Sequence, residues 1–278
     1  MKRSLRQLIS PLLSQTDVES PSKDGNRELK RPKKVQSHLS IPSKSKSITC
    51  KVCGMCYYDY FEKDKSMHEK YHSSFINGLT WNLSDERCIT TFNIDSSKGR
   101  PKSLKTLTEV RISMIDKKSS RQISKVDELL KMVNQELNAL PAAEWWKMDH
   151  KDVDIQGKAF VMIIENKAIG LCIIDPIQDL EKQCRWMLYK TQKIIPQPTN
   201  KLIKVGISRI WVCHNWRRHG LALKLLETVL SNMVYGITLN KNNLGFSQPS
   251  FAGGLLAKSF NGVVHKSGET LIPVYLEE

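Results

Sequence analysis

Four residues constrain this chain most tightly: Cys50, Cys53, His68 and His72, in the spacing Cys-x2-Cys-x14-His-x3-His. Two residues between the cysteines let a short turn present both sulfurs to one point. The histidines are four positions apart, which places them on one face of a helix, one turn from each other. Two sulfurs and two nitrogens in a tetrahedral array describe a structural Zn2+ site with no open coordination position, a site that holds a fold together and does no chemistry. Cys56 is a rival ligand, but Cys50 and Cys53 fit the spacing better. Tyr57, Tyr58, Tyr60, Phe61 and Met67 are the residues available for a small core around the ion. The helix predicted around residues 62–72 carries Glu62, Asp64 and Glu69 beside its lysines, and a lone finger contacts only about 3 base pairs. A docking or bracing role follows, rather than base reading.

With 278 residues the chain has room for one full-sized domain beside such a module. Its net charge of +15 is unevenly spread. Residues 1–48 hold 11 Lys/Arg against 4 Asp/Glu, and residues 97–125 hold 9 against 2, so 77 residues carry +14 of it. Both stretches are poor in aromatics and rich in Ser, Lys and Pro, the composition of disordered or linking segments. The expected organisation is a disordered basic tail (1–48), a finger (49–82), a basic linker (83–125) and a main folded domain (126–278). In the tail, Lys30-Arg31-Pro32-Lys33-Lys34 is a compact basic cluster of the kind that nuclear import receptors bind, which points to the nucleus. Gln36 and Leu39 follow it in the spacing that opens a sliding-clamp docking motif, without the usual aromatic pair. No apolar run approaches the ~18 residues of a membrane span. Seven cysteines, an odd number, and the lack of a signal peptide argue against a disulfide-stapled secreted domain.

The main domain reads as a mixed α/β sheet. Residues 126–138 form an amphipathic pattern with Val126, Leu129, Leu130, Val133 and Leu137 on one side. Residues 159–165 and 168–175 are apolar, strand-like runs joined at Asn166-Lys167, a hairpin signal. A further strand is possible at 185–190. Residues 204–213 are rich in β-branched and aromatic side chains and predict a central strand. A helix follows Gly220, with Leu221, Leu225, Val229 and Met233 recurring every four residues. A strand at 244–249, a short helix at 253–260 and a last strand at 271–276 complete the order.

The chemical signal lies where the central strand gives way to that helix. Arg217-Arg218-His219-Gly220-Leu221-Ala222 matches the pattern Arg/Gln-x-x-Gly-x-Gly/Ala. A helix N-terminus offers unpaired N–H groups and the positive end of its dipole. Gly220 and Ala222 keep side chains away, so a pyrophosphate can reach the backbone, and the arginines add charge. Alone, such a turn is also an ordinary helix start; its position after an apolar strand favours phosphate binding.

These residues resemble the GNAT acyl-CoA transferases and, more narrowly, the cohesion-establishment N-acetyltransferases of the Eco/ESCO family. The resemblance is carried by CKVC and HEKYH in the finger, ELNA at 136–139, KVGISRIWVC at 204–213, RRHGLA at 217–222, VYG at 234–236, FSQP at 246–249 and the closing VVHKSGETLIPVYL, in family order from residue 50 onward. It implies a GNAT-like domain with a small ββα-type finger. It also implies an acetyl-CoA-dependent lysine acetyltransferase acting on the SMC subunit of cohesin during S phase, with the tail docked on the sliding clamp PCNA through Gln36 and Leu39. By the same resemblance, Ile210, Trp211 and Val212 would line the cofactor through their backbone. Arg217, Arg218, His219, Gly220, Leu221, Ala222 and Leu223 would form the pyrophosphate loop, and Ser250, Phe251 and Ala252 would close over the far side. Ser208 and Glu227 match positions linked to catalysis. Animal members carry Asp where this chain has Gln248, and an amide cannot act as a base.

Acetyl transfer to lysine needs a neutral amine, yet free lysine has a pKa near 10.4, so a carboxylate or a water chain must take the proton. Glu227 is the one acid between Ile210 and Tyr235. One residue past core position Leu226, it is expected to border the buried face and to act as base or lysine anchor; without the resemblance it reads as a solvated helix glutamate. Two other readings compete. One is a non-catalytic clamp or chromatin adaptor with a vestigial fold. The other is a zinc-finger transcription factor, which predicts DNA binding that weakens steeply with salt.

Overall fold

The structure is a computed structural model that describes residues 47–83, 85–95, 107–141 and 144–277. The basic cluster, Gln36 and Leu39 lie outside the described residues. In chain order the elements are β1 (Ile48–Thr49), β2 (Cys56–Tyr57), α1 (Glu62–Asn77), β3 (Leu79–Thr80), β4 (Arg87–Asp95), β5 (Leu107–Met114), α2 (Ser120–Leu137), β6 (Lys158–Ile164), β7 (Lys167–Pro176), α3 (Leu180–Gln183), β8 (Cys184–Leu188), β9 (Ile194–Ile195), β10 (Val205–Val212), α4 (Leu221–Asn232), β11 (Leu244–Ser247), α5 (Phe251–Asn261), β12 (Val263–Val264) and β13 (Thr270–Tyr275).

One large sheet dominates, in the order β4-β5-β6-β7-β10-β11-β13-β8-β9, with β12 added to β13 and β3 to β7. Its pairs are antiparallel except β10–β11 and β11–β13. The β6–β7 hairpin turns at Glu165-Asn166, one residue before the expected Asn166-Lys167, and buries nearly every side chain of both strands, as expected of strands covered on two faces. α4 packs on β6, β7 and β10, and α5 packs on β13.

The expected linker is corrected in two places. Residues 87–95 and 107–114 form β4 and β5, which extend the sheet beyond β6. Val110 and Ile112 are fully buried while Glu109 and Arg111, which alternate with them, are not, so the one basic side chain of β5, Arg111, lies on its outer face. The first helix also starts earlier than expected, because Ser119 caps it by accepting from the N–H of Gln122.

The finger is braced against this sheet. Gly78 ends α1 at φ 89°, and a Cβ there would meet the carbonyl oxygen of Ala168 at 2.4 Å, so only glycine lets the chain turn so close to β7. β3 then pairs with Ala168 and Lys167, and Trp81 sinks into the main core at 2% exposure. The aromatic cluster expected to form the finger's own core is mostly exposed: Tyr58 37%, Tyr60 50%, Phe61 54% and Met67 52%. The large sheet takes over that role, with Phe75 buried and Tyr71 packed on the main core.

Candidate active site and metal centre

Cys50 and Cys53 sit on the turn between β1 and β2, which is closed by hydrogen bonds from Gly54 N to Cys50 O and from Cys50 N to Met55 O, both 2.9 Å. His68 and His72 face this turn from α1, and the ligand atoms of all four residues lie within 4.8 Å of one another. Tyr57 stacks flat on His68 at 4.1 Å. Backbone N–H groups of Cys53 and Val52 hold the Cys50 thiol down to about 6, and His72 Nδ1 lies 3.4 Å from its sulfur. The Nε2 of His68 is buried with no hydrogen-bond partner among the described residues, an orphan that a metal ion satisfies. The donor set and this orphan fit Zn2+ closed on all four sides. Cys56 lies exposed on β2 outside the cluster, which removes it as a ligand.

The second feature is built where two parallel strands part. β10 and β11 pair from Val205↔Leu244 to Ile207↔Phe246 and no further. At Ser208 the register of β10 against β7 shifts by one residue, a β-bulge. Beyond it the edge of β10 that faced β11 is open. A cavity of about 390 Å³ fills the gap, lined by Ser208, Arg209 and Ile210 on one side and Ser247, Gln248, Pro249 and Ser250 on the other. Leu137–Leu140 roof it, because Asn138 ends α2 in the left-handed conformation and turns the chain across the opening.

The loop after β10 is shaped for an anion. Gly220 precedes α4 at φ 77°, a Cβ there would meet nothing within 4 Å, and no side chain caps the helix. The first N–H groups of α4, from Leu221 to Leu223, are therefore open to a ligand. Arg218 is exposed in the left-handed region at φ 66°, and His219 Nδ1 lies 3.0 Å from the carbonyl of Arg217. Arg217 departs from expectation. Its Nε donates to Val212 O at 2.9 Å and its Nη2 pairs with Glu136, so its charge braces the loop from behind. Glu136 also accepts from Trp211 Nε1 at 2.5 Å, tying α2, β10 and the loop together. Trp211 and Val212 are buried, and Ile210 alone of the three borders the cavity. Ser250 lines the cavity while capping α5 through Gly253 N; Phe251, 76% exposed, and Ala252 lie outside its lining.

The expected position of Glu227 at the border of the buried face is corrected. α4 buries Leu221, Leu225, Leu226, Thr228, Val229 and Leu230; Glu227 falls on the opposite side, exposed, 3.4 Å from Lys224 Nζ and outside the cavity. Among the described residues, the one acid lining the cavity is Glu277, which local sequence did not single out. It pairs with Arg209 at 2.7 Å. Behind it stands Asp175, whose Oδ2 lies 3.0 Å from the hydroxyl of Tyr275. Burial pushes the Asp175 carboxyl up to about 6, against the hydrogen bond from Tyr275 that pulls it down.

Because that folded-state value lies above the ordinary 3.8, folding gains from this group only where it carries a proton. The contribution is complete below pH 3.8 and is lost as pH rises through about 6. Asp175→Asn is therefore expected to be more stable than the wild type at pH 8, by at most about 3 kcal/mol, and to match it near pH 3.8. Calorimetric Tm values at the two pH values check this.

Comparison with known proteins gives the same two parts in the same order. A family model described as "ESCO1/2 acetyl-transferase" matches residues 201–268, and one described as "zinc-finger of acetyl-transferase ESCO" matches residues 36–74. The N-acetyltransferase ECO1 of Debaryomyces hansenii is 48% identical over 291 residues, covering 100% of both chains. The protein of the same name from Saccharomyces cerevisiae is 32% identical over 88% of this chain and 96% of its own. N-acetyltransferase ESCO2 of Mus musculus is 26% identical over 89% of this chain and 39% of its own. With a two-Cys two-His centre braced on a sheet that splays beside an open helix N-terminus, and with the two ECO1 relatives matched along 100% and 96% of their length, the chain belongs to the Eco/ESCO family of N-acetyltransferases.

Proposed function

We propose that this chain transfers the acetyl group of acetyl-CoA to lysine side chains of the cohesin SMC subunit during DNA replication, establishing sister-chromatid cohesion in the nucleus. The observation that carries the reading is the gap between β10 and β11, which opens a cavity at Ser208 and Ile210, together with the open N-terminus of α4 on the loop that follows β10. The N–H groups of Leu221 to Leu223, with Arg218 beside them, would hold the pyrophosphate of acetyl-CoA, whose thioester supplies the activated acetyl group. The freed edge of β10 at Ile210 would hold the adjoining arm. Ser208 and Gln248 would border the reacting end.

Transfer is direct. Among the described residues no cysteine lines the cavity, and burial raises the thiols of Cys172, paired across from Ile210, and of Cys213, the latter to about 12, where they are inert as acyl carriers. The finger would brace the loop and face the protein substrate, and the basic cluster with Gln36 and Leu39 would deliver the enzyme to the nucleus and the sliding clamp.

The test is mass spectrometry of a purified cohesin complex incubated with the full chain and acetyl-CoA. Acetyl-lysine on the SMC subunit, dependent on this protein, is the expected result. Modification no greater than that in a control lacking it would overturn the proposal.

A further inference from the structure

Lysine acetylation has to shed a proton from an ammonium whose ordinary pKa is near 10.4, and the two positions that sequence offers for a base do not provide one. Glu227 is outside the cavity, and Gln248, inside it, is an amide. Glu277 is inside. It follows the last strand, two residues past Tyr275, and reaches back over the bulge in β10. Its Oε1 takes a hydrogen bond from Arg209 Nη1 at 2.7 Å and lies 3.4 Å from the Tyr275 hydroxyl. Among the described residues its Oε2 has no hydrogen-bond partner. Arg209 is itself fixed, 6% exposed, donating also to Asn134 Oδ1, Ser208 O and Leu140 O. The carboxylate is thus held by one oxygen on a rigid arm, with the other left for a ligand.

Tyr275 is placed with equal care. Its ring lies flat across β10 at Gly206, where a Cβ would meet it at 2.6 Å, and so reaches Asp175 on β7, the register partner of Gly206. The hydroxyl therefore stands between two carboxylates, Asp175 behind and Glu277 in front. No other charged side chain except Arg209 faces this pair among the described contacts. We infer that Glu277 is the catalytic base of acetyl transfer, taking the proton of the incoming lysine, and that Tyr275, backed by Asp175, and Arg209 are the positioning residues that aim it.

The inference rests on the acetyltransfer reading above. The step balances as follows. The lysine ammonium gives one proton to Glu277. The freed amine pair forms the C–N bond as the thioester C–S bond breaks with its electron pair on sulfur. The second amine proton goes to that sulfur, and Glu277 returns its proton to water. One thiol and one proton are released per transfer.

The experiment compares the wild-type full chain with Glu277→Gln, using acetyl-CoA and purified cohesin and reading thiol release from pH 7 to pH 9.5, with acetyl-CoA titrated calorimetrically into each protein. The expected result is an acetyl-CoA affinity equal to that of the wild type and a kcat about 10²-fold lower at pH 7. That deficit is expected to shrink toward pH 9.5, where a growing share of the substrate amine loses its proton unaided. Glu277→Asp, which keeps a carboxylate, should recover part of the rate and the same convergence, and it serves if the glutamine variant fails to bind acetyl-CoA. Wild-type turnover in the glutamine variant, or a loss constant across pH in both variants, overturns the assignment and leaves the acetyltransferase reading standing. Absence of turnover in the wild type overturns both.

Discussion

Gly220→Asp is expected to weaken acetyl-CoA binding by about 10³-fold while leaving the fold intact. Gly220 has φ 77° and empty space where a side chain would stand. Steric clash therefore does not contribute, and the backbone cost of a non-glycine residue here is about 1–2 kcal/mol, least for Asp and Asn. The effect arises from what the new side chain does. As the residue ahead of α4 it would place a carboxylate against the same open N–H groups that the pyrophosphate needs, and helix starts favour such a cap. Losing two charge-assisted hydrogen bonds, each worth about 1.5–3 kcal/mol, and adding like-charge repulsion accounts for the expected factor. Gly220→Asn carries the same backbone cost without the charge and should lose much less. Calorimetric titration with acetyl-CoA reads both, and equal affinities in the wild type and the Asp variant would remove this loop from the binding site.

The contrast between this loop and Glu277 shows what local sequence carries. β10, the turn and α4 are contiguous. An apolar β-branched run, a glycine where φ must be positive and leucines at helical spacing all fall within about thirty residues, and each signal is local. Glu277 acquires meaning only through Arg209, 68 positions away, and Tyr275 gains its partner Asp175 from 100 positions away. No window of sequence contains those pairs. β4 and β5 are a different case. The alternation of buried Val110 and Ile112 with Glu109 and Arg111 is a period-2 signal, but it is four residues long and lies within a stretch, 97–125, whose composition is that of a basic linker. Glu227 fell to the coarseness of helical phase: one residue from Leu226 is 100° of rotation, enough to move a side chain from the core edge to solvent.

Removing the metal is expected to unfold the finger and to reach the cofactor loop. Cys53→Ala deletes the buried one of the two sulfur ligands. In isolated fingers the bound zinc supplies roughly 10–16 kcal/mol of apparent folding free energy, and here the substitutes are few: β1 and β2 are two residues each, and the nearby aromatics are mostly exposed. Residues 48–72 should lose amide hydrogen-exchange protection, while β6, β7 and β10, buried in the main core, should keep theirs. The far end of α1 carries the consequence onward. Phe75 stacks on His214 at 5.9 Å, and Asn77 Oδ1 accepts from Asn215 Nδ2 at 3.1 Å. Both partners lie in the 3-10 turn His214–Trp216 that leads straight into Arg217 and Gly220. Loosening α1 therefore frees the turn that aims the anion-binding loop. Acetyl-CoA affinity should fall about tenfold in the metal-free protein, far less than in Gly220→Asp, because the N–H groups remain and only their pre-organisation is lost. Metal content by mass spectrometry, exchange protection and acetyl-CoA titration on the same preparation check the chain of effects. A metal-free variant that keeps full protection over 48–72 would show that the Cys/His cluster is not what holds the finger.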